Sequence, residues 1–247
     1  MNLLVDIGNS RIKWCLATGS DPGEVAALEH GRDTLPGALE HAWQGQPVPD
    51  RILACSVAGP VLDDAVAALA ERLWCRRPGF LAAVPEQLGV RNAYQRPGNL
   101  GPDRWAALLG AWCRGLAPCC IVDAGTAVTV DVLDAGGRHW GGMIFAGLAL
   151  SRHALTERTH RLPVVEDGLL PPLAADTPEA IRLGTREALI GSVERMLREI
   201  GHRYGDMRIV LTGGDAPLLA EALDPENVDV IPGLLFHGLA AVLEQRP

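Results

Sequence analysis

Two stretches of the chain repeat one order of apolar and polar positions. In the first, apolar Leu3 to Val5 lead into Asp6-Ile7-Gly8-Asn9-Ser10, after which alternation resumes at Ile12, Trp14 and Leu16. In the second, Cys119 to Val122 lead into Asp123-Ala124-Gly125-Thr126, and alternation resumes at Val128, Val130 and Val132. A continuous apolar run predicts a buried strand, Asp-x-Gly a tight turn, and period-two alternation an outgoing strand. Each copy is therefore a hairpin with a carboxylate at its lip. The two aspartates stand 117 positions apart in a chain of 247. The simplest architecture is a duplicated α/β fold with halves 1–116 and 117–247, each opening on such a hairpin, and with the functional cleft between them.

Elsewhere the apolar spacing turns helical. Val61, Leu62, Val66, Leu69 and Leu73 predict one face of a helix over Val61 to Arg76, and Pro102 opens a second that runs to Trp112. Pro178 to Tyr204 reads as a long amphipathic helix. Arg208 to Thr212 reads as a strand, Gly213-Gly214-Asp215 as a turn into a helix, and Leu234 to Leu243 as a closing helix. The Pro- and Gly-containing stretch from Leu162 to Pro178 is expected as a mobile loop.

Composition narrows the function. A formal charge of -8 without any Lys/Arg-dense block argues against nucleic acid or an anionic membrane as the main partner. No apolar run approaches the ~20 residues that span a bilayer, and the amino terminus lacks a signal-like pattern, so a cytoplasmic protein is expected. Cys15, Cys55, Cys75, Cys113, Cys119 and Cys120 show no metal-type spacing and read as buried free thiols.

The candidate chemistry gathers on the turns. Asp6-x-Gly8-Asn9-Ser10 can bring backbone N–H groups against phosphate oxygens while the carboxylate holds Mg²⁺ or its waters; taken singly, the same string is an ordinary hairpin turn. The repeat at Asp123-x-Gly125-Thr126 favours phosphate binding, with Asp123 near a cation and Thr126 donating its hydroxyl. Lys13 is the only lysine among 22 basic residues, which suits a compact charge beside phosphate. Gly101-Pro102-Asp103-Arg104 places a carboxylate and a guanidinium in one helical first turn. This pair fits a general base beside an anion-binding group, or alternatively a helix start with a solvated Arg. Thr129 and Asp131 are either functional or structural. Thr212-Gly213-Gly214-Asp215 allows close approach of a base or ribose, or is a bare glycine turn capped by Asp215.

Together these residues resemble type III pantothenate kinase. The resemblance is carried by Asp6-Ile7-Gly8-Asn9-Ser10-Arg11-Ile12-Lys13, Tyr94 with Leu100-Gly101-Pro102-Asp103-Arg104, Asp123 to Asp131, Gly141-Gly142-Met143-Ile144, and Ile181 to Thr185. It implies an actin-like (ribonuclease H-like) duplicated fold of the acetate kinase and hexokinase superfamily, and ATP-dependent phosphorylation of pantothenate to 4'-phosphopantothenate in coenzyme A biosynthesis. It also implies Mg²⁺, a monovalent cation such as K⁺ or NH₄⁺, and a homodimer. By the same resemblance, Asp6 to Lys13 and Thr126 contact ATP, Asp123 binds the monovalent cation and Asp103 is the proton acceptor. Tyr94, Gly101, Pro102, Asp103, Arg104 and Thr185 contact pantothenate. Ala146 departs from the family pattern, where Pro is usual, while Gly147 is kept. The alternatives on this scaffold are a sugar, acetate or polyphosphate enzyme, and a non-catalytic ATP-binding or polymerising relative.

Overall fold

A computed structural model describes residues 1–29, 35–158, 172–223 and 227–245, and the chain forms two compact units. The first unit comprises Met1–Pro118, Asp131–Gly141 and Gly233–Pro247. At its centre is β1 (Asn2–Ile7), antiparallel to β2 (Arg11–Thr18) and parallel to β5 (Ile52–Ser56). The sheet continues through the short strands β3 (Asp21–Pro22) and β4 (Ala26–Glu29) beside β2, and β6 (Gly79–Phe80) beside β5. Leu3, Val5, Ile7 and Ile12 are buried with Trp43 of α1 (Leu35–Trp43) and with Val66, Leu69, Ala70 and Trp74 of α2 (Pro60–Trp74). Val61, expected on the buried face of α2, is 84% exposed. Pro60 starts the helix, and the fully buried stripe begins nearly two turns later, at Val66.

A small ribbon of β7 (Glu86–Gln87) and β8 (Val90–Arg91) precedes α3 (Pro102–Cys113). Helix α3 packs against α7 (Leu234–Gln245) through two glycines. A Cβ on Gly238 would overlap the carbonyl oxygen of Ala106, and one on Gly110 would overlap that of Leu234. The backbones touch because neither glycine has a side chain. Beyond the change of unit at Pro118/Cys119, residues 131–141 and 233–247 return to the first unit. The physical reason is this helix pair, together with the Arg91 N–H donating to the Gly137 carbonyl at 2.8 Å.

The second unit comprises Cys119–Val130 and Gly142–Pro232. Strand β9 (Cys119–Ala124) lies parallel to β12 (Arg208–Thr212), which pairs in parallel with β13 (Val228–Val230). On the other side of β9 follow β10 (Ala127–Leu133) and β11 (His139–Ala146), completing the order β11-β10-β9-β12-β13. Helices α4 (Leu148–Arg158), α5 (Thr177–Tyr204) and α6 (Ala216–Ala222) belong to this unit. Asp176 caps α5, its carboxylate accepting from Glu179 N at 2.8 Å, and Ile181, Thr185, Leu189 and Val193 form a buried stripe at four-residue spacing. Of the loop expected from Leu162 to Pro178, positions 162–171 lie outside the described residues.

Four of the six cysteines are buried, whereas Cys75 and Cys113 are exposed and depart from the expectation. Cys75 ends α2 in the left-handed region, which turns its side chain out of the helix face. Among the described residues no helix is long and apolar enough to cross a membrane.

Candidate active site

Sheet register assembles the first cluster. Asp6 sits near the end of β1, with Lys13 opposite it on β2 and Cys55 opposite it on β5. The Lys13 ammonium lies 3.5 Å from one Asp6 carboxylate oxygen, and the Cys55 thiol donates to the other at 3.6 Å. Asp6 is only 6% exposed. Burial raises its pKa above the ordinary carboxylate value; Lys13 opposes that and the charge of Asp103 adds to it. Gly8 N donates to Arg11 O at 3.0 Å, closing the turn. Arg11 itself points outward and pairs with Glu29.

The second cluster grows from the start of α3. Gly101 is the N-cap, with Pro102 in the first turn. A Cβ on Gly101 would collide with the Asp103 carboxylate, so the glycine makes room for the side chain that follows it. The Asp103 carboxylate accepts from Arg104 N at 2.8 Å. Burial raises its pKa, and the opposing pull of the Arg104 N–H and guanidinium does not cancel the shift.

Arg104 is 5% exposed, not solvated. Its Nε and Nη2 donate to the two oxygens of Asp131 at 2.8 and 2.7 Å, and Nη1 donates to the Tyr94 hydroxyl at 2.9 Å. Burial alone would lower the guanidinium pKa; the bonds and charge from Asp131, helped by Tyr94, carry it above its ordinary value. Asp131 also accepts from His139 Nε2 at 2.8 Å, and Tyr94 stacks on His139 with ring centroids 6.1 Å apart. Asp131 is thus the anchor of Arg104. All four residues belong to the first unit.

In the second unit the repeat turn meets the glycine turn. Thr212 pairs in register with Asp123, Asp215 N donates to Ala124 O at 2.9 Å, and a Cβ on Gly213 would collide with Ala124 and with the Asp123 carboxylate. Gly147 N donates to Thr126 O at 3.0 Å, and its missing Cβ admits the Gly125 carbonyl. This contact explains why Gly147 matters whether or not the residue before it is Pro. Asp215 stands at the N-cap of α6, and its side chain makes no cap bond to that helix. Thr185 is buried in the stripe of α5. Its hydroxyl donates to Ile181 O at 2.8 Å and accepts from Arg152 Nε at 3.3 Å. It lines a cavity of about 730 Å³ with Ser151, Asp176, Ile181 and Gly184.

His139 is the member of these clusters that no motif or spacing in the sequence marks. The available signal is Asp131 itself, an acid on a strand whose residues 130–133 are all buried. Such an acid needs buried cationic and neutral donors.

Residues 2–199 match the family model for type III pantothenate kinase. The chain belongs to that family. A type III pantothenate kinase of Aromatoleum aromaticum is 40% identical over 245 residues, covering 99% of this chain and 98% of its own. That of Nitrosococcus oceani is 34% identical over 249 residues, covering 98% and 93%. As a type III pantothenate kinase, the enzyme catalyses ATP-dependent phosphorylation of pantothenate in coenzyme A biosynthesis. Solved structures share its fold. A Campylobacter jejuni protein described as a conserved Baf family transcriptional activator superposes with TM-score 0.63 at 21% identity, over 99% of this chain and 98% of that one. The activator of 2-hydroxyisocaproyl-CoA dehydratase from Clostridium difficile superposes with TM-score 0.54 at 14% identity, over 98% and 92%. The fold class is the α/β actin-like fold of ATPases and sugar kinases.

Proposed function

We propose that this kinase works by in-line transfer in which Asp103 is the proton acceptor. The primary hydroxyl oxygen of pantothenate attacks the γ-phosphorus of ATP. The new P–O bond forms as the bond to the β,γ-bridging oxygen breaks, ADP leaves, and the hydroxyl proton passes to the Asp103 carboxylate. Asp6, Ile7, Gly8, Asn9, Ser10, Arg11, Ile12 and Lys13 form the turn that cradles the ATP phosphates, and Thr126 contacts ATP from the repeat turn. Tyr94, Gly101, Pro102, Arg104 and Thr185 contact pantothenate.

The observation that carries this assignment is the setting of Asp103. It stands at the first turn of α3 beside a fixed guanidinium, and burial raises its proton affinity, as a base near neutral pH requires.

Metal use follows the donor chemistry. No group of three or more His, Cys, Asp or Glu gathers among the described residues, so a protein-only cage is absent there. A buried carboxylate at Asp6, with phosphate oxygens and water, suits Mg²⁺, which keeps several waters and takes one or two carboxylates. When bound, Mg²⁺ supplies charge neutralisation on the phosphates. Asp123 is the residue for K⁺ or NH₄⁺. The enzyme is a cytoplasmic homodimer in this reading. The exposed Met143, Ile144, Leu150 and Leu155 of the second unit supply apolar surface for the pairing.

The test is ADP release with ATP, Mg²⁺ and pantothenate, run with K⁺ or Na⁺ as the only monovalent cation, for the parent and for Asp123→Ala. Pantothenate-dependent turnover that needs K⁺ and collapses in the variant supports the cation assignment. Equal rates in both salts remove it.

A further inference from the structure

Arg104 donates through five N–H groups, and three are already committed, two to Asp131 and one to Tyr94. One N–H on each terminal nitrogen remains, and their directions are fixed because the guanidinium is planar and held at both ends. Tyr94 accepts from Arg104 through its oxygen, which leaves its own proton for a ligand. Tyr94 also lines an open cavity of about 540 Å³ with Gln95, Arg96 and Asn99.

His139 touches both sides of this arrangement. Its Nε2 donates to the Asp131 oxygen that also receives Arg104 Nη2, and its ring stacks on Tyr94 at an interplanar angle of 16°. The donation fixes the tautomer with hydrogen on Nε2. It leaves Nδ1, fully buried, as an acceptor without a hydrogen-bond partner among the described residues. An orphaned buried acceptor is unfavourable, and a phenylalanine would fill the same space without one. A histidine at this position is explained by its donor, not by its packing.

We infer that His139 is a positioning residue for the phosphate-acceptor substrate. It orients the Asp131 carboxylate, and through it the two remaining Arg104 donors, while its ring sets the plane of Tyr94. The inference rests on the assignment of Arg104 and Tyr94 to pantothenate.

The experiment compares His139→Phe, His139→Gln and Arg104→Met with the parent enzyme, varying pantothenate and ATP separately and recording Tm. Phe keeps a ring against Tyr94 but has no donor; Gln places an amide N–H near where Nε2 stands. His139→Phe is expected to raise the pantothenate KM by about tenfold or more, the scale of one hydrogen bond to a charged group, and to leave the ATP KM within about twofold. His139→Gln should recover most of that loss. If His139→Phe fails to fold, His139→Asn, whose amide stops short of Asp131, should show the same selective rise. The inference is overturned if Arg104→Met raises the pantothenate KM and the donor-less His139 variants do not, or if both substrates' KM values move together. If Arg104→Met leaves the pantothenate KM unchanged, the assignment of Arg104 fails first, and the role of His139 falls with it.

Discussion

Arg104 and Asp131 form a two-pronged ion pair, 2.7 and 2.8 Å long, with both side chains under 6% exposed. A pair of this kind is weak support for net stability but costly to break on one side, because the survivor is a buried charge without its partner. Asp131→Asn should therefore destabilise the protein by about 3–5 kcal/mol, measured by urea unfolding. The double variant Arg104→Met/Asp131→Leu should recover much of that stability while pantothenate turnover stays lost. Recovery of both would remove Arg104 from the reaction.

Asp103→Asn separates chemistry from stability in the opposite sense. Turnover should fall by a factor on the order of 10² to 10⁴. The folded-state pKa of Asp103 lies above the unfolded value, so between the two the native protein holds more protons than the unfolded chain. Stability contributed there is present at low pH and is lost as pH rises through the raised native value. A neutral amide escapes that loss, so the Tm of Asp103→Asn at pH 7.5 should equal or exceed that of the parent. A clear drop in Tm would mean that the carboxylate is structural.

The same shift governs activity. Because the base must be ionised, pantothenate kcat/KM should decline on the acid side with a midpoint above the ordinary carboxylate value of about 4. The pH–rate profile reads this directly, and Asp103→Glu should move the midpoint while retaining a measurable limb.

Thiol reactivity tests burial. Burial pushes the Cys15 and Cys119 thiols up to about 12 and that of Cys55 well above its ordinary value, which suppresses the reactive thiolate. Titration of the native enzyme with an aromatic disulfide at pH 8 should modify Cys75 and Cys113 and leave the other four until denaturant is added. Rapid modification of Cys55 would show that the floor beneath Asp6 opens.

The hairpins and helices were legible because their signals are local: a carboxylate at the end of an apolar run, a glycine turn, and apolar residues at helical spacing. Asp6, Lys13 and Asp103 could be singled out on that basis. The partners of Arg104 could not, because Asp131 lies 27 positions away and only the fold brings it to the start of α3. His139 was silent for a related reason. A histidine eight residues beyond an acid looks like any other until both side chains are seen to be buried against each other. Val61 misled because helical spacing names a face but not the turn at which burial begins. Thr185 could be placed on its helix from spacing, while its hydroxyl contact with Arg152 needed the fold.

The closeness of α3 and α7 sets how much substitution their contact tolerates. Gly238→Ala would have to move one helix off the other, at a cost of about 3 kcal/mol or more. Chemical denaturation would measure that loss, and a change below about 1 kcal/mol would mean that the pair yields easily. The dependence also has an order in time. The helix that bears Asp103 is translated well before residues 234–245, and its groove at Gly110 stays open to water until they arrive. On the ribosome, the helix that carries the proton acceptor is made mid-chain and is completed only when the closing helix emerges.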